Sequence, residues 1–437
     1  MVLYRALYGK GLRYVRPYEM FKEKISYEFG DELSAVLEPK INEYVPEAEG
    51  AELVHRAMAA PIGSAKLSEL SKGKEKVVII ASDHTRPVPS KLIIPPMLEE
   101  IREGNPDADI TILIATGCHR GTTKDELVAK FGEEIVKNEK IYIHDCDERD
   151  MLVNIGTLPS GGQCEINRLA YEADLLISEG FIEPHFFAGF SGGRKSVLPG
   201  VAGRKTVLAN HCSEFIDHSR ARTGILEGNP IHGDMLWAAK KAKLAYIVNV
   251  VLNSEKKVIY AVAGEPEAAH KNGTDFLLSL CGADAVESDI VITTNGGYPL
   301  DQNVYQAVKG MTAGEATCAE GGVIIMVAAC NDGHGGESFM KTMTEEISAA
   351  EILAGGFPYD LILDPLYNDV SEKGLETVCD RYFYYYYYRN EGATVSLVKT
   401  SELEGVAEIC ENIFADERVF IQSLDMDNMQ GFFRLGR

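Results

Sequence analysis

The sequence predicts an α/β protein built from two α/β domains with mainly parallel sheets. Short apolar runs rich in β-branched residues alternate with amphipathic stretches along most of the chain, as expected for strands connected by helices. The apolar runs are continuous rather than alternating, which is typical of strands buried on both faces of a parallel sheet. The 437 residues are enough for two domains that each bury a core.

The first half of the chain carries three runs that predict buried strands, at residues 77–81, 110–115 and 175–178. Residues 124–137 (KDELVAKFGEEIVK) have apolar side chains at helical spacing. They predict a helix that Thr122 or Thr123 caps, since a hydroxyl can accept a hydrogen bond from the first turn.

A second α/β block begins near residue 289, with strands predicted at 289–294, 323–327 and 361–363. An Ala-rich helical stretch before it, ending near Cys281, contains the domain boundary. We therefore expect domains at residues 1–275 and 276–437. The tyrosine-rich tract at 382–388 has too many consecutive rings for one face of an element, so it predicts either a partly exposed element or a pocket lining.

Charge and composition limit the partners. Lys and Arg number 43 against 66 Asp and Glu, a net charge of −23, which disfavours nucleic acid and anionic membrane as partners. The N-terminus lacks the pattern of a signal peptide, and no apolar run approaches the about 20 residues of a membrane span. The nine cysteines form no CxxC pair and indicate free thiols. We expect a soluble cytoplasmic protein.

The densest signal is the glycine-rich segment 183–200 (EPHFFAGFSGGRKSVLPG), directly after a predicted strand. Glycines and backbone N–H groups near Arg194 and Lys195 would suit a phosphate. The P-loop spacing fails, however, because Arg stands between Gly and Lys in both GRKS (193–196) and GRKT (203–206). A GxGxxG fingerprint after the first strand is also absent.

Three histidines, His119, His185 and His211, each follow an apolar run or the glycine segment. A histidine shuttles protons near neutral pH, and its neutral ring ligates borderline metals. Each one alone is more often structural, but two that close strands of one sheet favour a functional site.

Two polar segments add candidate ligand groups. Residues 82–89 (SDHTRPVP) close the first strand, and a helix beginning after Pro89 favours an anion there, where Arg86 could grip a carboxylate. In the second block, Gln306 and Lys309 are three residues apart on a predicted helix and so share one face.

Together these residues resemble the nickel-dependent lactate racemase family. The resemblance covers nearly the whole chain and is most specific from His185 through the glycine segment to His211. It implies that the first domain holds a covalently tethered nickel-pincer nucleotide, pyridinium-3-thioamide-5-thiocarboxylic acid mononucleotide with nickel. It also implies that the second domain closes over the cofactor and that the active site lies in the interdomain cleft.

The resemblance further implies a role for each candidate residue. Lys195 would tether the cofactor, His211 would ligate nickel, and Gly189, Ser191, Gly192 and Gly193 would contact the cofactor. His119 and His185 would be the acid–base pair. Asp83 would orient a catalytic histidine and, with Arg86, Tyr305, Gln306 and Lys309, form the substrate-binding set.

The implied reaction is racemisation or epimerisation of a 2-hydroxy acid, with lactate as the first expectation. One histidine takes the hydroxyl proton while hydride leaves for the cofactor, and the resulting 2-keto acid is reduced on either face. Asp380-Arg381-Tyr382 replaces the Asp-Gln-Trp often seen in the family, so malate, an aromatic hydroxy acid or a sugar acid is an alternative substrate. The expected partners are this small molecule and cofactor-biosynthesis enzymes. A phosphate-loop transferase or hydrolase and a nickel or nucleotide carrier are the alternatives from other classes.

Overall fold

The chain is described from a computed structural model. The described residues are 2–4, 35–37, 40–282, 286–295, 300–301, 303, 306, 309–328, 394–399, 419–425 and 430–436. The strand predicted at 361–363, the tyrosine tract 382–388 and Tyr305 lie outside them.

The elements are numbered along the chain. The strands are β1 (Val2–Tyr4), β2 (Ala35–Leu37), β3 (Lys76–Ser82), β4 (Asp109–Ala115), β5 (Lys140–Ile143), β6 (Leu152–Thr157), β7 (Gln163–Asn167), β8 (Leu175–Phe181), β9 (Pro184–His185), β10 (Gly189–Phe190), β11 (Leu244–Leu252), β12 (Val258–Gly264), β13 (Ser288–Thr294), β14 (Cys318–Val327), β15 (Thr394–Lys399), β16 (Val419–Asp425) and β17 (Gln430–Gly436). The α-helices are α1 (Gly50–Ala59), α2 (Leu67–Leu70), α3 (Ser90–Gly104), α4 (Lys124–Phe131), α5 (Glu133–Asn138), α6 (Arg168–Tyr171), α7 (Arg204–Asn210), α8 (Ser213–Asp217), α9 (Pro230–Lys241), α10 (Pro266–Cys281) and α11 (Lys309–Glu315). Short 3-10 turns span Lys40–Asn42, Arg149–Met151 and Gly193–Ser196.

A six-stranded sheet in the order β12-β11-β8-β3-β4-β5 forms the centre of residues 40–281. All neighbouring pairs are parallel except β11 with β12. From β3 the chain adds β4 and β5 on one side and later β8 and β11 on the other, so the strand order reverses between β3 and β8. In open α/β sheets, ligands bind beyond the carboxyl ends of the strands at such a reversal.

The continuous apolar runs form the strands because they are buried on both faces. Ile79, Ile112, Ile177 and Val248 lie on four neighbouring strands and are fully buried. Residues of α1 and α3 pack into the same core cluster. The strands predicted at 77–81, 110–115 and 175–178 are confirmed as parts of β3, β4 and β8, and the helix predicted after Pro89 is confirmed as α3.

The prediction of a single helix over residues 124–137 is wrong, because α4 and α5 are separate helices that meet at Gly132. Gly132 has φ +91°, a conformation that is strained for residues with a side chain, and it ends α4 by donating to the Val128 carbonyl at 2.9 Å. The predicted cap is confirmed at Thr123, whose hydroxyl accepts from the Glu126 N–H while the Glu126 carboxylate accepts from the Thr123 N–H.

Contacts divide the described chain into two compact units. The first is residues 40–281, and the second unites β1 and β2 with the elements that follow residue 281. β1 lies between β2 and β13 in a seven-stranded sheet, which is why it groups with the later part of the chain. These units differ from the predicted domains 1–275 and 276–437 in the placement of β1 and β2 and in keeping α10 whole. Among the described residues, no helix has the length and apolar character needed to cross a bilayer.

Candidate functional site

Polar segments follow the carboxyl ends of β3, β4 and β8, which are neighbours in the sheet. Ser82 at the end of β3 pairs with Ala115 at the end of β4, and β8 pairs with β3 on its other side. Asp83 follows β3, His119 follows β4, and His185 lies four residues beyond β8. The topology therefore places three of the sequence-predicted residues at the strand reversal.

Asp83 and His119 are in direct contact. The Nδ1 atom of His119 lies 2.7 Å from Oδ2 of Asp83. The other carboxylate oxygen, Oδ1, accepts hydrogen bonds from the Thr85 hydroxyl at 2.6 Å and the Thr85 N–H at 3.2 Å. Asp83 is buried, whereas the His119 side chain is 28% exposed. We call Asp83, Thr85 and His119 the His119 cluster. In this cluster Asp83 binds the Nδ1 atom of the imidazole, and the Nε2 atom points away from the carboxylate.

The electrostatics keep Asp83 ionised. Burial alone would raise the pKa of this carboxyl, but the charge and hydrogen bond of His119, with Arg86 and Thr85, hold the pKa well below its usual range. An anionic Asp83 is the partner that stabilises a positive charge on His119 when that ring takes up a proton.

Three further groups near this site were missed in the sequence. Thr85 bridges Asp83 to Arg86, whose Nη1 donates to the Thr85 hydroxyl at 3.0 Å. Lys130 donates to the Arg86 carbonyl at 3.2 Å, and burial lowers the pKa of its amine. Glu179 on β8 accepts from Ser82 and Ser90 and fixes the end of β3 to the start of α3. Lys130 in α4 and Glu179 in β8 belong to no sequence motif, so the sequence did not indicate that they lie near this site.

His185 and Lys195 form a second contact pair. His185 lies in the short β9–β10 hairpin, and Lys195 lies in the 3-10 turn after β10. The Ala188 N–H donates to Nδ1 of His185 at 3.2 Å, so the neutral ring carries its proton on Nε2. That Nε2 lies 3.2 Å from Nζ of Lys195, which places the imidazole within proton-exchange distance of the amine.

Phe187 joins this pair to His211. Its ring centroid lies 4.6 Å from that of His185 and 5.1 Å from that of His211, with edge-to-face packing in both cases. Nζ of Lys195 lies 5.8 Å from the same ring. His211 follows the last turn of α7 and is buried. We call His185, Phe187, Lys195 and His211 the Lys195 cluster. The sequence signal for Phe187 was its place inside the glycine-rich segment.

A backbone link connects the two clusters. The Gly117 N–H, two residues before His119, donates to the Gly200 carbonyl at 2.9 Å. The Gly200 N–H donates in turn to the Lys195 carbonyl at 3.1 Å. The positions of His119 and Lys195 are therefore coupled through Gly200.

The glycine-rich segment is packed against its own protein rather than open to a phosphate. The N–H groups of Ser191, Gly193 and Lys195 donate to Glu183 O, Asn249 Oδ1 and Gly192 O. Gly192 has φ +81°, and a Cβ there would lie 2.7 Å from Asn249 Oδ1. Because these donors are already used, the segment does not form the cradle of N–H groups that a phosphate loop presents.

Arg194 stabilises this segment from inside. Its guanidinium donates to the carbonyls of Ala188 and Phe190, both at 2.7 Å, and through Nε to His232. Arg194 was a possible phosphate contact from the sequence, but the side chain is buried among loop carbonyls, and burial lowers its pKa to about 9. His270 donates to the Ser191 carbonyl at 2.8 Å on the same side. A cavity of about 870 Å³ is bordered by Arg194, His232 and His270 and by no residue of the two clusters.

Two predicted substrate residues are described in the second unit. Lys309 at the start of α11 donates to the side-chain oxygen of Gln306, so the two side chains are in contact. Gln306 is buried, and its N–H donates to Asn303 Oδ1 at 2.9 Å.

Comparison with known proteins gives one family for two parts of the chain. The lactate racemase N-terminal domain family matches residues 21–224, and the lactate racemase C-terminal domain family matches residues 283–357. The chain is similar to the lactate racemase of Thermoanaerobacterium thermosaccharolyticum, with 55% identity over 333 residues covering 76% of this chain and 78% of that protein. It is also similar to the lactate racemase of Lactiplantibacillus plantarum, with 59% identity over 302 residues covering 69% and 71%.

A solved structure of the same family also resembles this chain. The lactate racemase apoprotein from Thermoanaerobacterium thermosaccharolyticum superposes with a TM-score of 0.68 at 56% identity, over 71% of this chain and 74% of that one. A Thermotoga maritima protein at 22% identity superposes with a TM-score of 0.51, over 64% of this chain and 72% of that one, and shows likeness of fold alone.

Proposed function

The chain belongs to the lactate racemase family, and from that premise we propose that it interconverts the enantiomers of a 2-hydroxy acid, with lactate as the first substrate. Membership of the family makes it an isomerase. The observation that carries the proposal is the contact of His119 with the buried, anionic Asp83 beyond β3, together with a second histidine, His185, beyond the neighbouring strand β8.

Two histidines suit a reaction that runs in both directions. Asp83 fixes Nδ1 of His119, so Nε2 is the atom that exchanges a proton with a substrate hydroxyl. Nδ1 of His185 instead accepts from the Ala188 N–H, so the neutral His185 ring offers a proton on Nε2, whereas the neutral His119 ring offers a lone pair there. Each histidine acts as base toward one enantiomer and as acid toward the other.

The residues of the Lys195 cluster fit the nickel-pincer nucleotide by their donor chemistry. His211 offers a buried imidazole, a ligand type that nickel accepts, and Lys195 offers a primary amine beside the His185 ring. We propose that Lys195 tethers the nucleotide, that His211 ligates nickel, and that Gly189, Ser191, Gly192 and Gly193 border the group. When bound, it supplies a reversible acceptor for the α-hydrogen, which simple proton abstraction beside a carboxylate would not readily remove.

A negatively charged substrate carboxylate is bound by positively charged side chains held in fixed positions. Arg86 donates a hydrogen bond to Thr85 of the His119 cluster, and Lys309 donates a hydrogen bond to the side-chain oxygen of Gln306. We propose that these residues and Tyr305 bind the carboxylate and hydroxyl and retain the keto acid between half-reactions. Malate, aromatic hydroxy acids and sugar acids are the other substrates in this proposal. The other expected partners are enzymes that make the cofactor, and the expected location is the cytoplasm.

The test is co-production of the chain with a complete cofactor pathway, followed by intact-mass, nickel and racemisation measurements on one sample. We expect a covalent mass increment that maps to Lys195, about one nickel per chain, and conversion of each lactate enantiomer to the racemate. Lys195→Arg keeps the charge and should show no increment, while Lys205→Arg, in the second Gly-Arg-Lys sequence, should load normally. A loaded chain that racemises malate but not lactate would change the substrate, and a chain without increment or nickel would contradict the proposal.

A further inference from the structure

Two cysteines lie together behind the His119 turn, and neither has a place in the proposed reaction. Cys118 directly precedes His119 in the turn after β4, and Cys146 lies in the turn after β5. β4 and β5 are parallel neighbours, with Ile114 opposite Ile143, so these two turns leave the sheet side by side.

Hydrogen bonds tie the two turns together and place Cys118 and Cys146 on adjacent turns. The Thr116 hydroxyl donates to the His144 carbonyl at 2.5 Å, and the His144 N–H donates to the Ile114 carbonyl at 3.1 Å. The Cys146 thiol donates to Oδ2 of Asp147 at 3.8 Å, and the interaction of the two thiols raises the pKa of Cys118 and lowers the pKa of Cys146. Both cysteines are reduced, with Cys118 half-buried and Cys146 buried.

A cation is fixed beside the pair. Arg204 at the start of α7 makes a two-pronged ion pair with Asp147, with contacts of 2.9 and 2.7 Å, and its N–H donates to the Cys146 carbonyl at 3.1 Å. The interaction with Cys118 and the charge of Arg204 lower the pKa of the Cys146 thiol against the effect of burial. A thiolate is the nucleophilic form of cysteine, so Cys146 is the reactive member of the pair.

We propose that Cys118 and Cys146 form a reversible disulfide when the protein meets a peroxide. The Cys146 sulfur attacks one oxygen of hydrogen peroxide, the O–O bond breaks, and water leaves, which gives a sulfenic acid. The Cys118 sulfur then attacks the Cys146 sulfur, its thiol proton leaves with the hydroxyl as a second water, and the S–S bond forms. Two thiols are oxidised, and one peroxide is reduced to two waters.

The disulfide changes the geometry next to His119. A disulfide bond is about 2.05 Å long, much shorter than any non-bonded contact of two sulfur atoms, so the Cys118 turn must shift toward the Cys146 turn. His119 is the next residue, and its contact with Asp83 depends on that turn. The catalytic consequence rests on the proposed function. An error of about 1 Å in the position of an acid–base group can reduce a rate by about 10²-fold.

The test treats the purified full chain with hydrogen peroxide, then blocks thiols and maps peptides without reduction. We expect one linked pair of peptides, containing Cys118 and Cys146, with the loss of two of the nine thiols and full return on adding dithiothreitol. The chain without cofactor gives the same result, so the linkage is tested independently of racemase activity. Linkage of another pair, or a Cys146 sulfinic acid with Cys118 still free, would overturn the proposal.

Variants sharpen the result. Cys118→Ser and Cys146→Ser should each abolish the linked peptide, while Cys164→Ser should keep it, since Cys164 is a buried thiol whose pKa burial raises to about 12. In the loaded enzyme, peroxide should lower the racemisation rate by about 10²-fold, and dithiothreitol should restore it. Equal rates of fully linked and reduced enzyme would remove the regulatory part of the proposal and leave the modification site.

Discussion

The carbonyl of Gly200 accepts the N–H of Gly117 at 2.9 Å, and this bond fastens the turn that carries His119 to the segment that carries Lys195. Gly200 has no space for a side chain, because a Cβ there would lie 2.3 Å from the Ser196 carbonyl oxygen. The two halves of the proposed site thus depend on one close backbone approach.

We expect Gly200→Ala to destabilise the chain by about 1–3 kcal/mol, the usual cost of overpacking, and to reduce tethering at Lys195. Urea unfolding and intact-mass measurement check the two effects. Gly233→Ala is the matched control, since a Cβ at this position in α9 meets nothing within 4 Å and alanine favours a helix. Equal stabilities for the two variants would contradict the prediction, because they would mean that the backbone around Gly200 can shift to accommodate a methyl group.

Asp83→Asn should lower kcat in both directions by about 10²- to 10⁴-fold with a much smaller effect on KM, because the amide no longer stabilises a protonated His119. Initial rates from each lactate enantiomer provide the measurement. Asp109→Asn removes a carboxylate from an exposed ion pair with Lys140 and should leave the rates unchanged. An Asp83→Asn enzyme with native kcat would exclude Asp83 from the acid–base machinery.

Asp83 also predicts a pH dependence of stability. Because folding lowers its pKa, the folded state binds fewer protons, and the stabilisation is present above the unfolded pKa of about 3.9 and is lost as the pH falls toward the folded value. The difference in free energy of unfolding between wild type and Asp83→Asn should therefore be greatest above about pH 4 and shrink in more acidic solution. Urea unfolding at several pH values measures it, and a difference that grows on acidification would contradict the prediction.

His270 should make the chain sensitive to acid over a higher pH range. Burial and the nearby charge of Arg194 lower its pKa to about 3, so the unfolded chain takes up a proton first as the pH falls below about 6.5. The free energy of unfolding should fall with pH across this interval, and His270→Gln should reduce the slope by about 1.4 kcal/mol per pH unit. His55→Gln, at an exposed position of α1, is the control, and identical slopes for the two variants would count against the prediction.

Phe187→Ala should cost about 3–5 kcal/mol of stability, because it empties the space between His185, Lys195 and His211. Phe187→Leu should cost less and keep more of the packing. Thermal unfolding gives the stability, and nickel content after dialysis tests whether the ring holds His211 in place. Full nickel retention in Phe187→Ala would limit the ring to a packing role.

The amino-acid sequence alone predicted the features that follow from the local pattern of apolar and polar residues. β3, β4 and β8 were predicted because burial on both faces requires continuous apolar runs, and the contact of Asp83 with His119 agrees with what the family resemblance implied. The direction in which a side chain leaves a loop has no such pattern. The Arg194 side chain donates to carbonyls of its own loop, whereas the side chain of its neighbour Lys195 lies against His185 and Phe187. Gly132 likewise divides a helix whose apolar spacing continues past it, because backbone conformation is not encoded in hydrophobic periodicity.

The position of β1 has a consequence for biosynthesis. This strand precedes every strand of the six-stranded sheet along the chain, yet its neighbour β13 is nearly 290 residues away, with Val2 opposite Val291. Every strand of the six-stranded sheet lies within residues 40–281, so that sheet can assemble while β1 still awaits its partner. A change in β1 therefore acts on a sheet that is completed only after β13 is made, and arrested translation after residue 281 should leave the first unit folded and β1 exposed to proteolysis.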